Sequence, residues 1–160
     1  MDISIADLVR LILIDIAIVA GASILIGAIA PRVSPRLLGR DYPPVVHLPW
    51  ETPRFFRALR VQQLARRLPE LGETFGGASK NQLPGRDVSE IDRYLVEVRR
   101  AEWVHWFSVL TWIPLIFFNP WWLTLLFAII VIGGNSLFLL VLRRNRERLT
   151  TLKYRLQTDT

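Results

Sequence analysis

The chain has 160 residues, enough for one domain, yet 51% of them are hydrophobic and the mean hydropathy is positive, which is rare for a soluble domain of this size. Twenty basic residues stand against fourteen acidic ones, and there is no cysteine. A disulfide scaffold, a thiolate nucleophile and a Cys-ligated metal are therefore excluded together.

The first predicted element runs from about Leu8 to Ala30 and ends at Pro31, which stops a helix. Only Asp15 interrupts the apolar run from Leu11 to Ala30. Hydrocarbon about 30 Å thick is crossed by roughly 20 helical residues, so residues 1–30 form one transmembrane helix. Ala28 and Ala30 keep a cleavable signal peptide in view, but the apolar stretch is longer than such peptides use. Asp15 is an intramembrane carboxylate, which either turns into a bundle, acts in function or reaches the interface.

Residues 31–102 carry thirteen Arg or Lys against nine acids, and the tail 143–160 carries six against two, whereas Asp2, Asp7 and Arg10 are the only charges before the apolar run that starts at Leu11. Positive charge beside spans stays in the cytoplasm. The middle segment and the tail are thus expected inside and the amino terminus outside. Within the middle segment, residues 53–68 place Phe55, Leu59, Val61, Leu64 and Leu68 along one side with arginines mostly opposite, the pattern of an interfacial amphipathic helix. Its alternative is a helix packed on protein.

Gly76, Gly77, Ser79, Pro84 and Gly85 mark a loop. Asp87 and Glu90 then fit a capping box, and Ile91, Leu95 and Val98 continue with helical spacing toward Trp103. One long helix over 88–118 is expected to enter the bilayer, with Pro114 as a place to kink. The uncharged run Trp106–Leu142 spans 37 residues, long enough for two short spans, so residues 103–142 form a transmembrane hairpin. Its turn, Phe118-Asn119-Pro120-Trp121-Trp122, faces outward. The expected fold is all-α and integral to the membrane, with about three transmembrane helices plus the interfacial helix.

The stripe of Ile91, Leu95 and Val98 extends by threes and fours onto Glu102 and His105, so two ionisable groups replace apolar ones on a buried face. A glutamate beside a histidine can hold the imidazole as a general base, and it can equally be a hydrogen-bonded pair anchoring the helix. A metal site is not expected, because Glu-x-x-His sites need the motif twice and His47 is the only other imidazole. After the last span come Arg143, Arg144, Arg146 and Arg148, with Asn135 about two turns deeper. Such a cluster satisfies the orientation rule and binds anionic lipid; alternatively Arg143, Arg146 and Lys80 grip a donor phosphate.

Arg100-Ala101-Glu102 with His105-Trp106 and Ser108, then Phe118-Asn119, Asn135, Arg143, Asn145-Arg146 and Arg148-Leu149-Thr150, resembles in order and spacing the CrtO family of glycosyl-4,4'-diaponeurosporenoate acyltransferases. Glu51, Arg66-Arg67-Leu68 with Pro69, Gly76-Gly77 and Lys80 are collinear with it more weakly. The chain departs from the family in having nearly one more helical turn between His105 and Asn119, and in lacking the aromatic-rich and lysine-rich character around residues 56–66.

The resemblance implies transfer of a fatty acyl group from an activated donor to a sugar hydroxyl of a glycosylated terpenoid or related glycolipid. It implies a multi-pass protein of the bacterial cell membrane with a cytoplasmic carboxyl terminus. His105 and Glu102 are then the catalytic candidates, Lys80, Arg143, Arg146 and Arg148 the donor or phosphate contacts, and Asn135, Asn145, Arg100 and Glu51 polar support. The expected partners are the bilayer, a lipidic glycoside acceptor and the acyl donor, an acyl-CoA or acyl carrier protein used as co-substrate. No cofactor or nucleic acid is expected, and no motif sets an oligomeric state. A noncatalytic membrane partner or assembly subunit of a lipid-synthesis complex is the competing class, and a glycosyl or phosphoryl transferase is disfavoured for want of an Asp-rich metal motif.

Overall fold

In the computed structural model, which describes residues 4–67 and 87–158, the regular elements among the described residues are all helices, with no strand, and residues 39–52 form an irregular segment. Helix α1 (Ile5–Ile29) starts at Ser4, whose hydroxyl oxygen accepts the backbone N–H of Asp7 and so satisfies one of the open donors of the first turn. It tightens into a 3-10 turn at Ala30–Arg32, where Pro31 cannot donate to the α ladder. A single turn, α2 (Pro35–Leu38), follows.

The amphipathic segment is two helices, α3 (Pro53–Ala58) and α4 (Val61–Arg67), where one helix over 53–68 was expected; Leu68 lies outside the described residues. Arg60, at φ 50°, forms the elbow between them. On one continuous helix Phe56 and Val61 would point about 140° apart. With the elbow, both are buried against Val141. Leu59, expected on the apolar side, is 48% exposed, and Phe56 takes its place in the packed face.

Helix α5 (Val88–Ser108) begins at Asp87, whose carboxylate accepts the Ser89 N–H at 3.1 Å. Its α geometry ends ten residues short of the expected 118 and gives way to a 3-10 helix, Val109–Phe117. Pro114 has no N–H for a carbonyl four residues back and its ring crowds that carbonyl, so the α ladder cannot pass through it. The Thr111 hydroxyl caps the change by donating to the Ser108 carbonyl at 2.8 Å.

Helix α6 (Trp121–Thr158) has 38 residues and is about 57 Å long, nearly twice the hydrocarbon thickness. Its last third runs antiparallel beside the first half of α5, where Ile91, Leu95, Val98 and Leu149 form a buried core flanked by Tyr94, Leu142 and Leu156. Lys153 Nζ donates to Asp92 Oδ1 at 2.6 Å across this stalk. Burial from water contributes roughly 1.5–3 kcal/mol for each such aliphatic side chain.

At the other end, α1 packs on the 3-10 helix and the start of α6 through Leu115, Leu123 and Phe127. There Asn119 Nδ2 donates to Asp15 Oδ2 at 2.7 Å, and Asp15 is wholly buried. Asp15 is thus turned into the bundle. Among lipid tails apolar contact has no hydrophobic drive, and an interhelical polar pair of this kind contributes on the order of 0.6–2 kcal/mol.

Two helical stretches, Ile5–Arg32 and Trp121–Thr158, are long and apolar enough to cross a bilayer, and most of each is left uncovered by the rest of the chain. The core helix of a soluble protein is mostly covered, so this exposure points to membrane association. The third span expected within 103–142 does not meet the same criterion, because the 3-10 segment divides it from α5.

Candidate functional site

Where the stalk meets the apolar half of the bundle, the buried stripe of α5 reaches Glu102, which is 0% exposed. It faces α6 and lies between two guanidinium groups: Arg146 Nε is 3.3 Å from Oε1 and Arg143 Nε is 4.0 Å from Oε2. These are ion-pair separations without hydrogen-bond alignment, and neither carboxylate oxygen has a hydrogen-bond partner among the described residues. Burial raises the Glu102 carboxyl to about 7, against the pull of Arg146 and Arg143.

Arg143 is engaged through both of its terminal nitrogens, while its Nε has no hydrogen-bond partner among the described residues. Its Nη1 pairs with Glu51 Oε1, and its Nη2 donates to the carbonyls of Pro44 at 2.7 Å and Val46 at 3.3 Å. Glu51 Oε2 in turn accepts the Leu48 N–H at 2.8 Å. Arg146 reaches Asp41 Oδ1 at 3.4 Å, and Arg99 Nε donates to the same oxygen at 2.6 Å. Three acids, Asp41, Glu51 and Glu102, are thus interleaved with three arginines, Arg99, Arg143 and Arg146. The charges balance when Glu102 is ionised, and burial works against that form, as its raised titration shows. The assembly clamps the 41–51 segment onto α5 and α6.

His105 lies one turn beyond Glu102 but does not meet it. Its Nδ1 lies 2.9 Å from Asn135 Oδ1, and its ring stacks on Phe138 with centroids 4.8 Å apart and planes 7° from parallel. The tautomer follows from Asn135. The Asn135 amide nitrogen donates to the Val131 carbonyl one turn back on α6 at 2.9 Å, so its oxygen faces the imidazole. Neutral His105 therefore carries its proton on Nδ1 and presents a bare Nε2, the basic atom, which has no partner among the described residues.

The expected support of His105 by Glu102 is accordingly replaced by Asn135. Sharing a helix face brings two side chains to the same neighbouring helix, and here α6 offers each a different partner. Arg143 and Glu51 belong to the clamp, so neither is placed as a phosphate contact or as a free polar support. Arg146 keeps one buried nitrogen, Nη2, without a hydrogen bond. Arg148 is exposed, Asn145 half-buried, and Arg100 pairs with Glu97 on another side of α5. Lys80 lies outside the described residues. Among those residues no three histidine, aspartate or glutamate side chains converge as metal ligands would.

Sequence reasoning passed over Asp41, Arg99 and Phe138. Asp41 and Arg99 are 58 positions apart, and no periodicity connects them. Phe138, three residues after Asn135 on α6, had a usable signal: it shares a helix face with the amide already singled out.

The family model described as CrtO, glycosyl-4,4'-diaponeurosporenoate acyltransferase, matches residues 40–155. The chain belongs to this family. The matched residues contain the whole charge clamp together with His105, Asn119 and Asn135, while α1 lies before them. No curated protein and no solved structure matches the chain.

Proposed function

We propose that this CrtO-family protein is a membrane acyltransferase that moves a fatty acyl group from an activated donor to a sugar hydroxyl of a glycosylated terpenoid or related glycolipid. The observation that carries the reading is the held imidazole: Asn135 fixes the Nδ1 proton, Phe138 fixes the ring plane, and Nε2 remains a free base. Such a nitrogen can take the proton from an attacking hydroxyl as the new ester bond forms and return it to the leaving group, a role contributing typically 10²–10⁴-fold in rate.

The placement suits an amphiphilic substrate. From Trp103 to Phe117 the chain rises about 9 Å as α-helix and about 18 Å as 3-10 helix, so fifteen residues cover roughly 27 Å and can serve as a third crossing. With the basic middle segment and tail inside, His105 sits one turn below the cytoplasmic surface, where the sugar of a membrane-anchored glycoside meets the hydrocarbon edge. The exposed arginines 54, 57, 66 and 67 of α3 and α4 lie on that same side, beside anionic headgroups. The donor is an acyl-CoA or an acyl carrier protein.

The test is conversion by purified protein of a long-chain acyl donor and a glycolipid acceptor to an ester. His105→Ala is expected to lower the rate at least 100-fold while leaving the thermal unfolding midpoint and elution volume unchanged. Full activity of that variant removes His105 from the mechanism, and a noncatalytic role as a partner in a lipid-synthesis complex then becomes the better account.

A further inference from the structure

Asp15 is the one titratable residue in the apolar run of α1, and acyl transfer makes no use of it. It stands ten residues beyond the start of the helix at Ile5, about 15 Å along the axis, and so within the hydrocarbon. Its side chain is wholly buried against the turn that joins the 3-10 helix to α6. That turn presents Asn119, whose backbone N–H donates to the Leu115 carbonyl at 3.1 Å and whose amide nitrogen donates to Asp15 Oδ2 at 2.7 Å. Two acceptors are left over. Asp15 Oδ1 and Asn119 Oδ1 are both buried, and neither has a hydrogen-bond partner among the described residues.

An ionised carboxylate only accepts hydrogen bonds, so it offers the amide oxygen nothing. It would also stand without a counter-charge. The 3-10 helix and α6 as far as Leu142 contain no charged residue, and the other charged residues of α1 are Arg10, which is exposed, and Asp7, which accepts the Ser4 hydroxyl at 2.6 Å. A protonated carboxyl has a donor and an acceptor on adjacent oxygens, the same arrangement that a primary amide offers. One proton on Asp15 Oδ1 therefore supplies what both leftover oxygens lack, the acid donating to Asn119 Oδ1 while the amide donates to Asp15 Oδ2. Among lipid tails an unsatisfied polar group is costly and a bare charge more so, and both costs favour this form.

We propose that Asp15 carries its proton and closes a reciprocal acid–amide pair with Asn119, a neutral latch that fastens α1 to the rest of the bundle. Asn119 lies within the residues matched by the family, 40–155, and Asp15 before them, so the family core supplies the amide and a helix beyond that core supplies the acid. Apolar contact between helices gains nothing from the hydrophobic effect in lipid, so the position of α1 rests on packing and on this pair. The latch stands independently of the acyl-transfer reading.

The chain has no cysteine, so Leu13→Cys on α1 and Leu126→Cys on α6, both exposed positions, place a pair of spin labels on the full-length protein in phosphatidylglycerol nanodiscs. A single narrow distance distribution is expected. Asp15→Leu and the milder Asn119→Ala each remove both bonds and are expected to widen it about twofold. Asp15→Asn rebuilds both bonds as an amide–amide pair and keeps the distribution narrow, as does the exchange of Asp15→Asn with Asn119→Asp. The infrared difference spectrum of the parent chain minus Asp15→Asn, taken near neutral pH, is expected to show the C=O band of a protonated carboxyl. In Asn119→Ala that band moves to higher frequency, because the carbonyl has lost its donor.

Carboxylate bands in the difference spectrum overturn the neutral pair. A distribution as narrow in Asn119→Ala as in the parent chain, or a carboxyl band unmoved by that substitution, overturns the latch. Where Asp15→Leu does not fold, Asn119→Ala and the infrared band decide the matter by themselves.

Discussion

Glu102 and His105 stand three residues apart on α5, and their surroundings differ in kind: charged side chains from three parts of the chain gather around Glu102, whereas a neutral amide and an aromatic ring on one helix meet His105. Around Glu102, three acids and three arginines interleave, and Arg143 alone ties α6 to Glu51 and to two backbone carbonyls. Around His105, one nitrogen is bonded, the ring is stacked, and the other nitrogen is open. An interlocked charge network is suited to holding a segment in place, whereas a general base needs a free lone pair on a ring whose tautomer and plane are held.

Removing one member of the clamp is the strongest way to test that contrast. Arg143→Ala leaves Glu51 buried and two carbonyls without a donor, and is expected to cost about 3–5 kcal/mol, read as a collapse of the thermal unfolding midpoint in detergent. If this variant instead unfolds normally and only fails to turn over, the clamp belongs to the donor site.

Glu102 supplies a pH test. Its carboxyl is raised from 4.5 to about 7 in the folded protein, so the unfolded chain sheds the proton first as pH rises. The contribution to stability is fully present below about 4.5 and is lost as pH climbs through 7, a difference on the order of 3 kcal/mol. Glu102→Gln is expected to flatten the unfolding midpoint between pH 5 and 8 relative to the parent chain, and an unchanged slope would show that another group carries it.

A smaller effect should follow from releasing the imidazole. Asn135→Leu removes the acceptor on Nδ1 and is expected to lower kcat about 10–100-fold with little change in KM, with partial rescue by Asn135→Asp. Equal loss in both Asn135 variants would favour a packing role. Smallest of all, Arg148→Ala is expected to shift stability by less than about 0.5 kcal/mol, and a large loss of turnover there would restore this exposed arginine as a donor contact.

Much of the framework is legible in the chain itself. Hydropathy locates α1 and the apolar part of α6 up to Leu142, though not its continuation through the basic tail to Thr158; Asp87 marks the start of α5, and the stripe Ile91, Leu95, Val98 leads to Glu102 on the buried face, because helical period depends only on local geometry. The break at Arg60 was not legible, since it follows from the position of Val141 on another helix. The shift to 3-10 geometry at Val109 was legible only as a proline inside an apolar run, and Pro114 reads equally as a kink.

Sequence by itself determined the family, the helical class, the apolar helices and several of the polar residues that gather at Glu102 and His105. Tertiary structure decided which of them serve each other: Asn135 for His105, Arg143 and Arg146 for Glu102, Asn119 for Asp15. The division has one physical cause. Periodicity states which way a side chain points from its own helix, whereas an ion pair or a hydrogen bond depends on what a distant part of the chain places within about 3 Å of it.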